Sequence, residues 1–288
     1  MKYSISNWIY GEESLRTTFE RLKRYGYDGI ELKGEPQEYH AEEVNQLCGE
    51  FDLEVLSIAG IYPWPTEERD LANPNPQMRK RAVSYLTECV DFASAVGAPL
   101  IIVVPSAVAK TSPVGHFESE EEWLAAAERE WDYAVESVKT AAAYAEQEGI
   151  LLAVEPINRY ETFLINNVDQ ALRFVSEVGS RTVKLHLDTF HMNIEEKDPA
   201  EAIRRAGELL VNVHIADSNR QAVGYGHTDF EAIMTALGEI GYERALALEP
   251  LPPVPDPYIA ARLRRYEHLR DVYAEECIAR LRQYEREV

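Results

Sequence analysis

Four strand-like runs in the second half of the chain each end in a side chain able to bind a metal ion. Glu155 follows Leu152-Ala153-Val154, Asp188 closes Lys184-Leu185-His186-Leu187, His214 lies in Asn212-Val213-His214-Ile215, and Glu249 follows Ala245-Leu246-Ala247-Leu248. Carboxylate oxygens with one imidazole nitrogen suit Mn²⁺, Mg²⁺ or Co²⁺ as well as Zn²⁺, and a set without thiolates or further histidines disfavours a purely structural zinc site. Any one of these residues alone is explained as well by a helix cap or an ion pair. Four on consecutive strands are not.

Two glutamates around one divalent ion have a chemical use. An ion chelated by a carbonyl and its neighbouring hydroxyl acidifies the adjacent C–H and stabilises the enediolate that forms. Glu155 on one face and Glu249 on the other can then remove a proton and return it from the opposite side, which is epimerisation; return to the neighbouring carbon is isomerisation. Glu161, His191 and Arg220 lie a few residues beyond Glu155, Asp188 and His214. Each would stand above the ion, where hydrogen bonds can hold a polyhydroxylated substrate. Taken singly, Arg220 reads equally well as a surface guanidinium and His191 as a helix cap.

Bringing these side chains together requires parallel strands that all end on one side. Strand patterns occupy 2–8, 29–32, 54–59, 99–105, 152–155, 183–188, 210–216 and 245–249, and helical spacing fills 14–25, 41–51, 78–96, 119–147, 168–178, 199–206, 230–240 and 258–284. Gly26, Gly97, Gly149 and Gly179 stop four of the helices, and Ser119 with Glu122 makes a capping box. Loops run through Trp64 and Pro74, through Lys33 and Lys110, and across prolines 252, 253, 255 and 257. In the last helix Tyr258, Leu263, Tyr266, Leu269, Val272 and Tyr273 recur at near-helical spacing, a face that covers the barrel. Alternation of eight strands with eight helices predicts a single (β/α)8 TIM barrel over residues 1–288, with the site at the C-terminal strand ends. No Gly-x-Gly-x-x-Gly or Walker sequence follows a strand, which argues against a nucleotide-binding sheet.

Composition narrows the partners. The 288 residues include 50 acidic and 29 basic ones, a net charge of -21 that repels nucleic acid and anionic membranes. Cys48, Cys89 and Cys277 form neither a disulfide framework nor a zinc ribbon and read as small buried side chains in helices. The N-terminus lacks a signal-peptide pattern and no apolar run is long enough to span a membrane, so the expected setting is cytoplasmic.

At these residues the sequence resembles the xylose-isomerase-like barrel superfamily, and within it the D-tagatose 3-epimerase and D-psicose 3-epimerase group. The resemblance rests on GluProIleAsnArgTyrGlu at 155–161, AspThrPheHisMetAsnIleGluGlu at 188–196, SerAsnArg at 218–220 with the Gly224-Tyr225-Gly226 turn, and GluPro at 249–250. It implies a Mn²⁺- or Co²⁺-dependent ketose 3-epimerase, active on a small sugar and assembled as a homodimer or homotetramer. Glu155, Asp188, His214 and Glu249 match the family's metal ligands, Glu155 and Glu249 its acid/base pair, and Glu161, His191 and Arg220 its substrate contacts. The loop after strand four, ProSerAlaValAlaLysThrSerPro, lacks the family's aromatic residues, and Leu251 stands where Phe often follows GluPro; both shape the pocket around the far end of the sugar. Competing enzymes on the scaffold are a hydroxypyruvate isomerase, a sugar-phosphate epimerase and an inosose dehydratase. Arg220, Lys33 and Lys110 are a thin set of cations for a phosphate dianion. A DNA-repair endonuclease would want more histidines and a basic face, and a non-catalytic sugar-binding barrel would have no use for both glutamates.

Overall fold

Apolar parallel strands need cover on both faces, and a closed barrel supplies it. The computed structural model describes residues 1–63, 65–254 and 256–287, with the backbone alone for Glu67, Pro257 and Tyr258. The loop positions assigned above to Trp64 and Pro255, and the covering contact assigned to Tyr258, lie outside the described residues. Strands β1 (Lys2–Ser6), β2 (Gly29–Gly34), β3 (Glu54–Gly60), β4 (Leu100–Val103), β5 (Leu151–Val154), β6 (Val183–Asp188), β7 (Leu210–Ile215) and β8 (Ala245–Leu248) pair in parallel in chain order, and β8 returns to β1. Register sets Asp188 beside His214 and Ile215 beside Leu248, so the ends of β6, β7 and β8 reach the rim at one level. Strand faces turned away from the helices contribute Ala59, Leu100, Ile102, Ala153 and Val211 to a small cluster of their own inside the barrel.

Helices α1 (Leu15–Tyr25), α2 (Ala41–Phe51), α3 (Pro76–Val96), α4 (Glu120–Glu148) and α5 (Val168–Val178) follow the first five strands. Side chains of Ser14, Asn75, Ser119 and Asn167 cap their helices at the N-terminus, and Gly26, Gly97, Gly149 and Gly179 end theirs in the left-handed conformation. After β6 come α6 (Thr189–Glu195) and α7 (Pro199–Ala206), then α8 (Phe230–Glu239) after β7, and α9 (Pro257–Ala260) and α10 (His268–Glu287) after β8. The three cysteines lie in α2, α3 and α10 as free thiols, Cys89 and Cys277 buried. Among the described residues no helix is long and apolar enough to cross a membrane.

Three elements differ from the sequence expectation. The first strand stops at Ser6, and Asn7–Tyr10 form a 3-10 turn. The stretch after Asp188 is the helix α6, begun without a loop because Asp188 Oδ1 accepts the Phe190 N–H at 2.8 Å; at seven residues it is too short to announce itself by periodicity. The long terminal helix expected over 258–284 is broken into α9, a 3-10 turn at Arg264–Tyr266 and α10. Its two parts have different work. Ala261 and Arg262 help wall the rim cleft, whereas Tyr273, Ala274, Cys277, Ile278 and Leu281 are buried on α10. A straight helix cannot face both surfaces.

Candidate active site

Glu155, Asp188, His214 and Glu249 are all buried at the C-terminal rim and belong to one continuous cluster. His214 Nδ1 lies 3.2 Å from Glu249 Oε2 and 3.8 Å from Glu155 Oε1. Asp188 joins through its neighbours: its Oδ2 is 3.6 Å from His191 Nε2 and accepts from Arg220 Nη1, while Arg220 Nη2 donates to Glu249 Oε2 at 2.7 Å. The 3.6 and 3.8 Å separations are long for hydrogen bonds. They suit ligand atoms that each lie roughly 2.0–2.2 Å from a shared ion. Three overlapping groups, Glu155/His186/His214, Glu31/His214/Glu249 and Glu155/Asp188/His191, have ligand atoms within 4.8 Å of one another. Each group could hold a divalent cation, and each contains two of the four expected ligands.

The charges are distributed unevenly. Burial, reinforced by Asp188 and Glu249, pushes the Glu155 carboxyl up to about 8 against the pull of His214. Its Oε1 lies 3.7, 3.8 and 3.9 Å from ring nitrogens of His186, His214 and His191. Burial also raises Glu249, but His214 and Arg220 oppose it, and Trp8 Nε1 donates to its Oε1. Asp188 is held below the ordinary carboxylate range because Arg220, with His191, outweighs burial. His214 is driven the other way, up to about 10: burial alone would lower it, but Glu249 and Glu31 overcome that loss.

Several residues that position this cluster carried no role in the sequence reading. Glu31, on β2 and fully buried, accepts a hydrogen bond from His214 Nε2–H at 2.8 Å, from Ser57 Oγ at 2.6 Å and from Asn212 Nδ2 at 3.2 Å. That bond turns His214 Nδ1 toward Glu155 and Glu249, the outer support a metal-binding imidazole requires. Asn158 links two expected substrate contacts, since its Nδ2 donates to Glu161 Oε1 and to His191 Nδ1, each at 2.8 Å. The network leaves the His191 proton on Nε2, facing Asp188. Arg220 has a positive φ of 62° and lies 4.8 Å over the Phe190 ring. Its loop is tied down by Asp217, which accepts the N–H groups of Ser218, Gly224 and Thr228; a Cβ on Gly226 would stand 2.3 Å from the same carboxylate. Asn158 lay within a quoted motif, so that motif was its signal. Glu31 and Asp217 had none beyond being polar at a strand and at a strand end.

The cluster opens into a cleft of about 1360 Å³ that also touches Trp8, Lys33, Tyr39, Val108, Ala109 and Leu251. That exceeds the roughly 300–1,000 Å³ typical of small-molecule pockets. Glu161, His191 and Arg220 line it beside Glu155, His214 and Glu249, whereas Asp188, fully buried, does not, so the expected substrate contacts share one space with three of the four expected ligands. Lys110 does not face it as the sequence suggested. It is buried, with Nζ 2.6 Å from both Asp70 and Glu130. Lys33 is paired with Glu38 at 2.5 Å; Arg220, bound to Asp188 and Glu249, and Arg262 also line the cleft.

Comparison with known proteins agrees with this geometry. A family described as xylose isomerase-like TIM barrel matches residues 19–272. The chain is 30% identical over 257 residues to the D-psicose 3-epimerase of Ruminiclostridium cellulolyticum, covering 87% of this chain and 84% of that protein. It is also 30% identical to the L-ribulose 3-epimerase of Mesorhizobium japonicum, over 86% and 80% of the two chains. A crystal structure of the D-psicose 3-epimerase from Clostridium cellulolyticum H10 with D-tagatose superposes with a TM-score of 0.84 at 27% identity, covering 99% of each chain.

Proposed function

The chain belongs to the xylose isomerase-like TIM barrel family, and from that premise we propose that it is a divalent-metal-dependent ketose 3-epimerase acting on an unphosphorylated sugar. The observation that carries this reading is the pair of strand-end glutamates, Glu155 after β5 and Glu249 after β8, which approach the same His214 nitrogen from different strands. Glu155, Asp188, His214 and Glu249 would hold the ion, Mn²⁺ before Co²⁺, Mg²⁺ or Zn²⁺, and when bound it polarises the sugar carbonyl and stabilises the enediolate charge.

The remaining chemistry belongs to the side chains. A proton leaves C3 to one glutamate and the other glutamate supplies one to the opposite face; their roles exchange in the reverse reaction. Different surroundings separate the two carboxyls, since Glu249 accepts from Trp8 and Arg220 while burial keeps the Glu155 proton affinity high. Such a pair is ready to act as acid and base together. Glu161, His191 and Arg220 hold the hydroxyls. A neutral substrate is favoured because Lys33 and Lys110 are already paired with carboxylates.

The test is incubation of the Mn²⁺-loaded protein with free ketoses, D-psicose and L-ribulose among them, and with their phosphates. Epimer formation at C3 of a free ketose is expected. Failure with every ketose, or a preference for a phosphate by orders of magnitude, would overturn the reaction or the substrate class respectively.

A further inference from the structure

His186 is fully buried on β6, and neither of its ring nitrogens has a hydrogen-bond partner. It precedes Asp188 by two residues, so the pleat sends both side chains to the same face, toward the barrel interior. There Nε2 lies 3.7 Å from Glu155 Oε1, and the ring meets that of His214 edge-on with centroids 4.1 Å apart. Neighbouring polar groups do better: Asn212 Nδ2 and His214 Nε2 both reach Glu31. Two unpaired ring nitrogens in a buried position weaken a fold, and an apolar side chain of similar size would fill the same space without that loss. A residue kept against stability needs another reason to be there.

We infer that His186 is a positioning residue for Glu155: its Nε2–H donates to Oε1 once that carboxylate serves the metal site, and so fixes the carboxylate's orientation. The inference rests on the reading of Glu155 as a ligand. It requires closure of about 0.5–0.8 Å from the 3.7 Å separation to reach hydrogen-bond distance. A hydrogen bond of this kind to a ligating carboxylate typically changes metal affinity by about 10–100-fold.

The experiment is a calorimetric Mn²⁺ titration of the ion-stripped full chain, without substrate, for wild type, His186→Leu and His186→Gln, with the ion-free melting temperature of each. His186→Leu is expected to melt at or above the wild-type temperature yet bind Mn²⁺ about 10–100-fold more weakly. His186→Gln, which retains an N–H donor, should recover most of that affinity. Unchanged Mn²⁺ affinity in His186→Leu overturns the inference while leaving the metal site intact. So does a fall in ion-free melting temperature that parallels the loss of affinity, with no recovery in His186→Gln, because His186 is then a packing residue. Absence of a saturable Mn²⁺ site in the wild type overturns the metal reading itself, and this inference with it.

Discussion

Glu249 has both carboxylate oxygens engaged, one by Trp8 and the other by Arg220 and the neighbouring His214. Glu249→Gln keeps the shape and removes the proton carrier, so turnover should fall by about 10²–10⁴-fold, with weaker Mn²⁺ binding; near-normal kcat would remove Glu249 from the mechanism. A second prediction concerns pH. The folded ion-free protein holds protons on Glu155 up to about 8 and on His214 up to about 10, where their ordinary values are 4.5 and 6.5. Between each pair of values the native state binds more protons than the unfolded chain, so stability falls as pH rises through those windows. The ion-free melting temperature should therefore drop from about pH 6.5 to 10, and Mn²⁺, which requires deprotonated ligands, should flatten that slope; a melting temperature that rises over this range would contradict the assignment. The four residues proposed as ligands were legible as candidates because each closes a strand-like run. Glu31 and His186 were not, since a polar residue inside a strand looks the same in sequence whether it faces solvent, a helix or the barrel interior.

The rim loops are joined by elements that sequence patterns do not reveal. Residues after β3, β4 and β5 meet in two parallel bridges, Pro63 with Val108 and Lys110 with Thr162. The second carries the Glu161 segment, since Ala109 N–H donates to the Glu161 carbonyl at 2.7 Å and Phe163 N–H to that of Lys110 at 3.2 Å. Lys110 anchors the assembly through Asp70 and Glu130. Lys110→Met would leave two buried carboxylates without their shared cation, at a cost of about 3–5 kcal/mol. Loss of the anchor should also raise KM more than it lowers kcat, because Glu161 is loosened while Glu155, Asp188, His214 and Glu249 stay in place. Urea unfolding and steady-state kinetics check both parts; unchanged stability would mean the buried triad is not coupled as drawn. From sequence Lys110 was one more lysine in a polar loop, because burial of a charge depends on partners 40 and 20 residues away. The helix α6 and the break before α10 escaped for a related reason: the first is too short for periodicity, and the second is imposed by two surfaces that one chain segment has to cover.

Across the whole molecule, strand order was the most legible property. Alternating apolar strands and amphipathic helices admit few parallel arrangements, and closure of β8 on β1 follows the barrel expectation. The rim is where the sequence said least, because the outer wall is built from loops after several strands, with Val108, Ala109 and Leu251 facing the cleft. These side chains are apolar and, under the proposed function, would bear on the far end of the sugar rather than on the proton transfer. The net charge of -21 agrees with a neutral substrate, as do the paired lysines at the rim. Proton transfer between two glutamates on opposite faces has one direct consequence: the hydrogen returned to C3 is not the one removed. In D₂O with Mn²⁺ and a converted ketose, NMR of the epimer should show deuterium at C3, and Glu249→Gln should form that epimer about 10²–10⁴-fold more slowly. An epimer formed with its original C3 hydrogen retained would contradict the two-glutamate mechanism.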